Sequence, residues 1–151
     1  MLDTGWDDDL SLTAYGDYLA VADYYTPNQK EAMKITGAKT PEAAAEILKL
    51  YFNNVIVKLD KDGCLGIDSD GTMFTVKSIE EFQHVDSTGA GDAFLAGFMY
   101  GLFYNYSFRE SILLGNITGG KAVTAVGALT AHFNEQELLE YKNKYHLLIA
   151  D

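Results

Sequence analysis

The chain has little cysteine, few cationic side chains and no long apolar run. Its single cysteine, Cys64, excludes an internal disulfide and a zinc site built from several thiolates. Eleven Lys and Arg stand against 22 Asp and Glu, and the net charge of -11 argues against nucleic acid or an anionic membrane as the main partner. No apolar run approaches the roughly 20 residues of a membrane span. Residues 3–9 are acidic where a secretory signal is basic, so we expect a cytoplasmic protein.

The composition and the apolar patterns of the chain are typical of a globular α/β protein. The chain of 151 residues is 48% hydrophobic and 13% aromatic, which is enough to bury one sizeable core. Apolar patterns of helical and strand type alternate, and this alternation is typical of a layered α/β domain. The continuous apolar run at 54–59 predicts a strand buried on both faces, as in a parallel sheet. Further strands are predicted at 1–4, 22–26, 64–67 and 72–76.

Helix start and stop signals divide the rest of the chain. Asn28 with Glu31, and Ser107 with Glu110, have the spacing of capping boxes that begin helices. Gly127 is predicted to end the helix that begins at Ser107. Further helices are predicted at 10–22, from Thr40, after Gly91 and from Asn134.

The most informative segment is the glycine-rich stretch at 86–98, DSTGAGDAFLAGF. Two glycines flank one alanine just before a helix, so backbone N–H groups and the positive end of the helix dipole could hold phosphate oxygens. Asp92 in the first helical turn could accept a proton from a substrate hydroxyl. Asp86 could tie down the loop by accepting backbone hydrogen bonds, or its carbonyl could help to hold a cation.

These glycines have other interpretations. Asp92 could be only a favourable first-turn acid, and the glycines only a turn. A dinucleotide-binding fingerprint is excluded because Phe94 occupies the position that requires glycine or alanine. Residues 115–122 nearly spell a P-loop, but Ala122 lacks the required hydroxyl and a helix pattern precedes the segment.

The segment at 86–98 resembles the second signature of the ribokinase-like, PfkB-type carbohydrate kinases, D-S/T-S/T-G-A-G-D-x-F. Residues 27–31 resemble the N-x-x-E motif of that family, and 57–63 resemble its T-L-G-x-x-G turn, with Asp60 in place of the usual glycine. The late helix and Gly-Ala turn of the family resemble 116–128, and 2–7 resemble the strand end that opens its nucleotide half.

The resemblance implies a fold and an activity. The fold would be the C-terminal portion of a ribokinase-like three-layer α/β/α sandwich, lacking the N-terminal strands and the β lid, with 1–151 as the nucleotide-binding part. The activity would be ATP-dependent phosphorylation of a sugar hydroxyl, with Mg²⁺ as a cofactor. Because the family's sugar-gripping N-terminal half is missing, we expect this chain to be inactive alone. Its truncated sheet would leave an apolar edge that favours association, such as a homodimer.

The resemblance also implies a role for each matching residue. Asp92 would be the catalytic base, and the N–H groups of Gly89, Ala90 and Gly91 would form an anion hole. The residues implied to lie near ATP are Asn28, Glu31, Lys58, Asp60, Gly63 and Asn116. Many members hold a monovalent cation, usually K⁺, mostly by carbonyl oxygens, and the corresponding residues are Asp86, Thr88, Ala122, Ala125 and Gly127.

The sequence is compatible with several alternatives. Asn28 and Glu31 can cap a helix and still lie near phosphate, and Asn116 could be an ordinary polar helix residue. The chain could be a non-catalytic nucleotide-binding or assembly module derived from such a kinase, although the presence of Asp92 favours a catalyst. A nucleoside or vitamin kinase of the same superfamily is a further alternative.

Overall fold

The computed structural model describes residues 1–5 and 7–149. Within it the chain divides into two compact units, Met1–Thr75 and Val76–Asp151.

The first unit contains three helices and most of a small sheet. Its helices are α1 (Leu12–Ala20), α2 (Gln29–Thr36) and α3 (Pro41–Leu48). Its strands are β1 (Val55–Lys58), β2 (Cys64–Ile67) and most of β3 (Met73–Val76), whose last residue belongs to the second unit. A single 3-10 turn, Asp60–Asp62, separates β1 from β2. The predicted helices and the strands at 54–59, 64–67 and 72–76 are therefore confirmed, with shifted ends.

The apolar run at 54–59 forms the buried strand β1, which has an antiparallel partner in β2 and a parallel bridge at Lys58. The strand order is β1-β2-β3, and β1 pairs antiparallel with β2 in a register that sets Val57 opposite Leu65. The connection between β1 and β2 is too short for the crossover that parallel strands need, which explains the antiparallel pairing. Parallel pairing occurs at two isolated bridges, Leu2 with Tyr25 and Asn28 with Lys58. The segments predicted as strands at 1–4 and 22–26 meet at the first of these bridges.

The capping box predicted for α2 is confirmed. The Asn28 Oδ1 accepts from the Glu31 N–H at 3.0 Å, and the Glu31 Oε2 accepts from the Asn28 N–H at 2.9 Å. The helix ends at Gly37, whose φ of 72° is the left-handed conformation that glycine adopts without strain.

An apolar cluster fills the first unit between its helices and strands. Leu19 from α1, Leu48 from α3 and Val57 from β1 are all buried in it. Burying each such side chain contributes about 1.5–3 kcal/mol relative to leaving it in water. Cys64 is fully buried on β2, and burial raises the pKa of its thiol to about 12. Cys64 is thus a small core residue.

The second unit is helical. It contains α4 (Ala90–Phe103), α5 (Phe108–Ala122) and α6 (Glu135–Lys144), followed by a 3-10 turn at His146–Ile149. The capping boxes at Ser107 and Asn134 are both present. The segment that resembles a P-loop lies inside α5, which confirms that it forms no phosphate loop.

Helix α5 ends earlier than the sequence predicts. It stops at Ala122, whereas Gly127 lies five residues further on with φ 90°. A turn at 121–124 closes the helix, because the Thr124 N–H and Oγ1 both donate to the Lys121 carbonyl, at 3.1 and 2.8 Å. Gly127 is therefore a loop residue.

Helices α4 and α5 approach each other closely at two glycines of α4. A Cβ on Gly97 would lie 2.5 Å from the Leu114 carbonyl oxygen, and one on Gly101 would lie 2.7 Å from the Ser111 Cα. The Thr118 Oγ1 also donates to the Ala93 carbonyl at 2.6 Å, across the same interface. This packing fixes the first turn of α4, which lies within the glycine-rich segment at 86–98.

Candidate functional site

The glycine-rich segment forms a tight loop that leads into α4. Gly89 is the N-cap of this helix and has a φ of 79°, in the left-handed region. A Cβ at Gly89 would lie 2.5 Å from the Ala128 Cβ and 2.7 Å from its Cα. Glycine is therefore required here both by the backbone conformation and by the neighbouring chain.

Asp86 anchors this loop at its start. Its Oδ1 accepts from the Thr88 N–H at 3.0 Å and from the Thr88 Oγ1 at 2.8 Å, while its Oδ2 accepts from the Gly127 N–H at 2.9 Å. The Val85 and Asp86 N–H groups both donate to the Val123 carbonyl, at 2.7 and 3.2 Å. The prediction that Asp86 ties down the loop is confirmed.

The same contacts set the acidity of Asp86. The N–H groups of Gly127 and Thr88 and the Thr88 hydroxyl hold the pKa of this carboxyl below its ordinary value, since they bind the ionised form. A depressed pKa contributes stability above the unfolded pKa, and that stability is lost as pH falls through the folded pKa.

We therefore predict that the loop loosens in acid. The Gly127 amide proton should change its chemical shift with a midpoint below the ordinary aspartate pKa of about 3.9, because protonated Asp86 is a weaker acceptor. The measurement is a ¹⁵N-resolved pH titration of the whole chain. Asp86→Ala should remove this transition at Gly127, and a transition that survives the substitution would contradict the assignment.

Asp92 lies in the first turn of α4 and is exposed. The turn is regular, since the Ala93 N–H donates to the Gly89 carbonyl at 2.9 Å. A carboxylate here is favoured by the helix dipole, and its exposure leaves it able to meet a substrate hydroxyl. The geometry thus suits a base as well as a first-turn acid.

One of the three predicted anion-hole groups is already bonded. The Ala90 N–H donates to the Ser87 carbonyl at 3.1 Å, within the turn that opens α4. Ala90 could therefore bind a ligand only by exchanging that bond. The roles of Gly89 and Gly91 stay predictions.

The residues predicted to hold a monovalent cation come from two adjacent segments. The Asp86 carboxylate links the loop that carries Thr88 directly to Gly127. Ala122 is the buried last residue of α5, and Ala125 lies in the loop that follows. The structure brings the two segments together, and the role of these residues as ligands stays a prediction.

The Asn116 side chain is buried and hydrogen-bonded inside the protein. It is 8% exposed, and its Nδ2 donates to the Val76 carbonyl at 2.8 Å and to the Lys77 carbonyl at 3.2 Å. These bonds join α5 to residues 76–77 of the same unit, so they favour the structural interpretation of Asn116. A contact between Asn116 and adenosine stays a prediction. To donate to adenosine, the Asn116 amide would have to give up its bonds to Val76 and Lys77.

The remaining predicted nucleotide residues cluster in the first unit. Asn28 and Lys58 form a backbone bridge, and the Lys58 N–H donates to the Pro27 carbonyl at 2.9 Å. The Lys58 Nζ lies 3.9 Å from an Asp3 carboxylate oxygen. Glu31 is 7% exposed, and burial raises the pKa of its carboxyl. The N-terminus of α2 and the end of β1 therefore form one polar cluster.

Asp60 shows why the usual glycine of the family pattern can be replaced. Its φ is 56°, in the left-handed region, where aspartate and asparagine are tolerated better than most other residues. Its Oδ2 accepts from the Gln29 Nε2 at 2.8 Å. Gly63, which closes the same turn, has a φ of 97°.

A cleft of about 510 Å³ in the second unit was not predicted from the sequence. Its lining combines aromatic, cationic and acidic side chains: Glu81, Phe82, Gln83, Val85, Lys121, Thr124, Tyr141 and Lys144. The Phe82 and Tyr141 rings stack with centroids 5.5 Å apart. These two aromatic residues are far apart in the sequence, so only the tertiary arrangement reveals the cleft.

Neither a dedicated metal cage nor a membrane span is found in the described part of the chain. Among residues 1–5 and 7–149, no group of three or more His, Cys, Asp and Glu side chains could hold a metal ion. Mg²⁺ in kinases is commonly bound by one or two carboxylates together with substrate phosphates, which needs no such cage. None of the helices within those residues has the length and hydropathy to cross a bilayer.

Comparison with known proteins places the chain among sugar kinases. Residues 1–134 match the pfkB family of carbohydrate kinases. An ATP-dependent 6-phosphofructokinase of Thermoanaerobacterium thermosaccharolyticum is 35% identical over 112 residues, covering 74% of this chain and 34% of that protein. The chain thus spans about a third of this curated relative.

Solved structures have the same fold. Aminoimidazole riboside kinase from Salmonella enterica, complexed with aminoimidazole riboside and an ATP analogue, is 29% identical with a TM-score of 0.78, over 91% of this chain and 48% of that one. Arabidopsis thaliana ribokinase, complexed with ribose and ATP, is 25% identical with a TM-score of 0.81, over 93% of this chain and 46% of that one. The fold is ribokinase-like, and the chain belongs to the PfkB family of carbohydrate kinases.

Proposed function

We propose that this chain provides the ATP-binding and catalytic part of an ATP-dependent sugar kinase. The observation that carries the proposal is the loop at 86–92, which combines a left-handed Gly89, an anchoring Asp86 and an exposed Asp92 at the N-terminus of α4. Phosphoryl transfer needs little covalent chemistry from the protein, and it depends mainly on positioning and electrostatic stabilisation. A rigid anion loop beside a carboxylate supplies both.

In the proposed reaction the oxygen of the sugar hydroxyl attacks the γ-phosphorus of ATP, and Asp92 accepts the proton of that hydroxyl. The bond from that phosphorus to the β,γ-bridging oxygen breaks, and ADP leaves. The N–H groups of Gly89 and Gly91, with the positive end of α4, stabilise the charge on the transferred group. Asp86 keeps the loop in place for this role through Gly127 and Thr88.

The polar cluster of the first unit is proposed to serve the nucleotide. Asn28, Glu31 and Lys58 would lie near the phosphates of ATP and the water around Mg²⁺, and Asp60 and Gly63 would border the nucleotide. The cation Lys58 suits a phosphate, and the carboxylate Glu31 suits hydrated Mg²⁺. A K⁺ ion beside the loop at 86–88 and 122–127 belongs to the same proposal.

The acceptor is proposed to be a sugar or a sugar derivative. The relatives named above include kinases for fructose 6-phosphate, ribose and aminoimidazole riboside. One of these relatives is complexed with a riboside, so a nucleoside-like acceptor is an alternative to a sugar. The non-catalytic module is the second candidate, and Asp92 is the feature that favours catalysis over it.

The test is nucleotide binding followed by turnover. We expect the chain to bind Mg·ATP in calorimetry, and ADP release to depend on one member of a panel of ribose, fructose 6-phosphate, aminoimidazole riboside and other sugars. Turnover is measured on the chain and on the longest open reading frame that contains it. Binding without turnover in either protein would favour the non-catalytic module, and absence of Mg·ATP binding would contradict both candidates.

A further inference from the structure

The turn between β1 and β2 is tied to the start of α2 at two points. The Lys58 N–H donates to the Pro27 carbonyl at 2.9 Å, which is the backbone tie. The Gln29 Nε2 donates to the Asp60 Oδ2 at 2.8 Å, which is the side-chain tie. Asn28 lies between Pro27 and Gln29 in the chain, and its backbone bridges to Lys58. The backbone tie is therefore made by the residue before Asn28, and the side-chain tie by the residue after it.

We propose that Asp60 is a positioning residue that acts through Gln29 to hold the Asn28 end of α2 against the turn at 59–63. This inference rests on the proposed nucleotide role of Asn28 and Lys58. In this chain the hydrogen bond from Gln29 to Asp60 helps to hold the start of α2 against the turn at 59–63. With glycine at position 60, only the backbone bond from Lys58 to Pro27 would do so. The consequence is that the family's usual glycine should be the worse residue here.

The backbone of Asp60 makes this inference specific. Its φ of 56° restricts the position to residues that tolerate the left-handed region, chiefly glycine, asparagine and aspartate. Glycine adopts the conformation freely but has no acceptor for Gln29. Asparagine tolerates the conformation and keeps an acceptor oxygen, but it has no charge. The three residues therefore separate backbone fit, hydrogen bonding and charge.

The experiment measures the Kd for Mg·ADP of the whole chain by calorimetry. We expect Asp60→Gly to weaken binding about three- to tenfold, the range for loss of one exposed hydrogen bond that orders a site. Asp60→Asn should restore most of this loss, because it keeps the acceptor. Gln29→Ala should give a similar loss, and the double variant Asp60→Gly with Gln29→Ala should lose no more than either single variant.

A matched substitution controls for general effects on the fold. Asp70→Gly removes another exposed turn aspartate of the same unit, whose Oδ1 accepts from the Thr72 N–H at 2.9 Å. It should leave the Kd unchanged, and thermal unfolding should show all variants folded at the assay temperature. A merely structural role would give losses of affinity that follow the unfolding midpoint.

The outcomes separate this inference from the function on which it rests. Wild-type affinity in Asp60→Gly, or an Asp60→Asn variant as weak as Asp60→Gly, would overturn the positioning role while leaving nucleotide binding intact. A wild-type chain that does not bind Mg·ADP would overturn the proposed nucleotide site itself, and the positioning role with it.

Discussion

Asp92→Asn is expected to lower sugar-dependent release of ADP from ATP by about 10²–10⁴-fold, the usual contribution of a general base. The amide is nearly the same size and stays in the first turn of α4, but it cannot accept the proton of the attacking hydroxyl. The affinity for Mg·ATP should change little, because the proposed anion hole is formed by backbone groups. The measurement is steady-state kinetics on the active form of the protein, with calorimetry for the nucleotide.

The control for Asp92→Asn is the same substitution at another exposed helical aspartate. Asp17 lies on α1, in the first unit, and Asp17→Asn should keep full activity. Loss of a general base typically lowers turnover by at least about 10²-fold. If Asp92→Asn kept more than about a tenth of the wild-type turnover, Asp92 would be a first-turn acid and not the base.

Gly89→Ala is expected to destabilise the second unit by about 2–5 kcal/mol. A left-handed backbone costs alanine about 1–2 kcal/mol, and overpacking against Ala128 adds about 1–3 kcal/mol. The loop can relieve the contact only by moving away from 127–128, which would also disturb the Gly127 N–H bond to Asp86. We therefore expect weaker Mg·ATP binding together with the loss of stability.

Gly127→Ala separates backbone strain from the steric clash. Gly127 also has a positive φ, of 90°, but a Cβ there would lie 3.4 Å from the Thr130 Oγ1, which is an ordinary contact. Chemical denaturation should show a loss of about 1–2 kcal/mol for this variant, since strain alone remains. Equal losses for the two variants would mean that the loop accommodates the methyl group added at Gly89 without a clash.

Features set by neighbouring residues were predicted well from the sequence. The capping box of Asn28 and Glu31, and that of Ser107 and Glu110, need only residues three positions apart, so the pattern and the structure agree. The glycine-rich loop before α4 was found for the same reason. Local rules also excluded a P-loop at 115–122, because the helix pattern continues through it.

Features set by distant residues were predicted poorly. The end of α5 depends on Lys121 and Thr124, and a rule that looks for glycine placed it at Gly127. The bonds of Asn116 join it to carbonyls 40 and 39 residues away, so the local sequence did not show what its side chain binds.

The sequence alone determined the family and the position of the loop, because a glycine-rich turn, a first-turn aspartate and a following helix are contiguous in the chain. It also showed that Asp60 departs from the usual glycine. The tertiary structure decided what those residues contact. It brings the Asp86 carboxylate to Gly127 and the Asp60 carboxylate to Gln29, across 41 and 31 residues of chain. These partners depend on how the segments pack, and local sequence carries no signal for contacts at that separation.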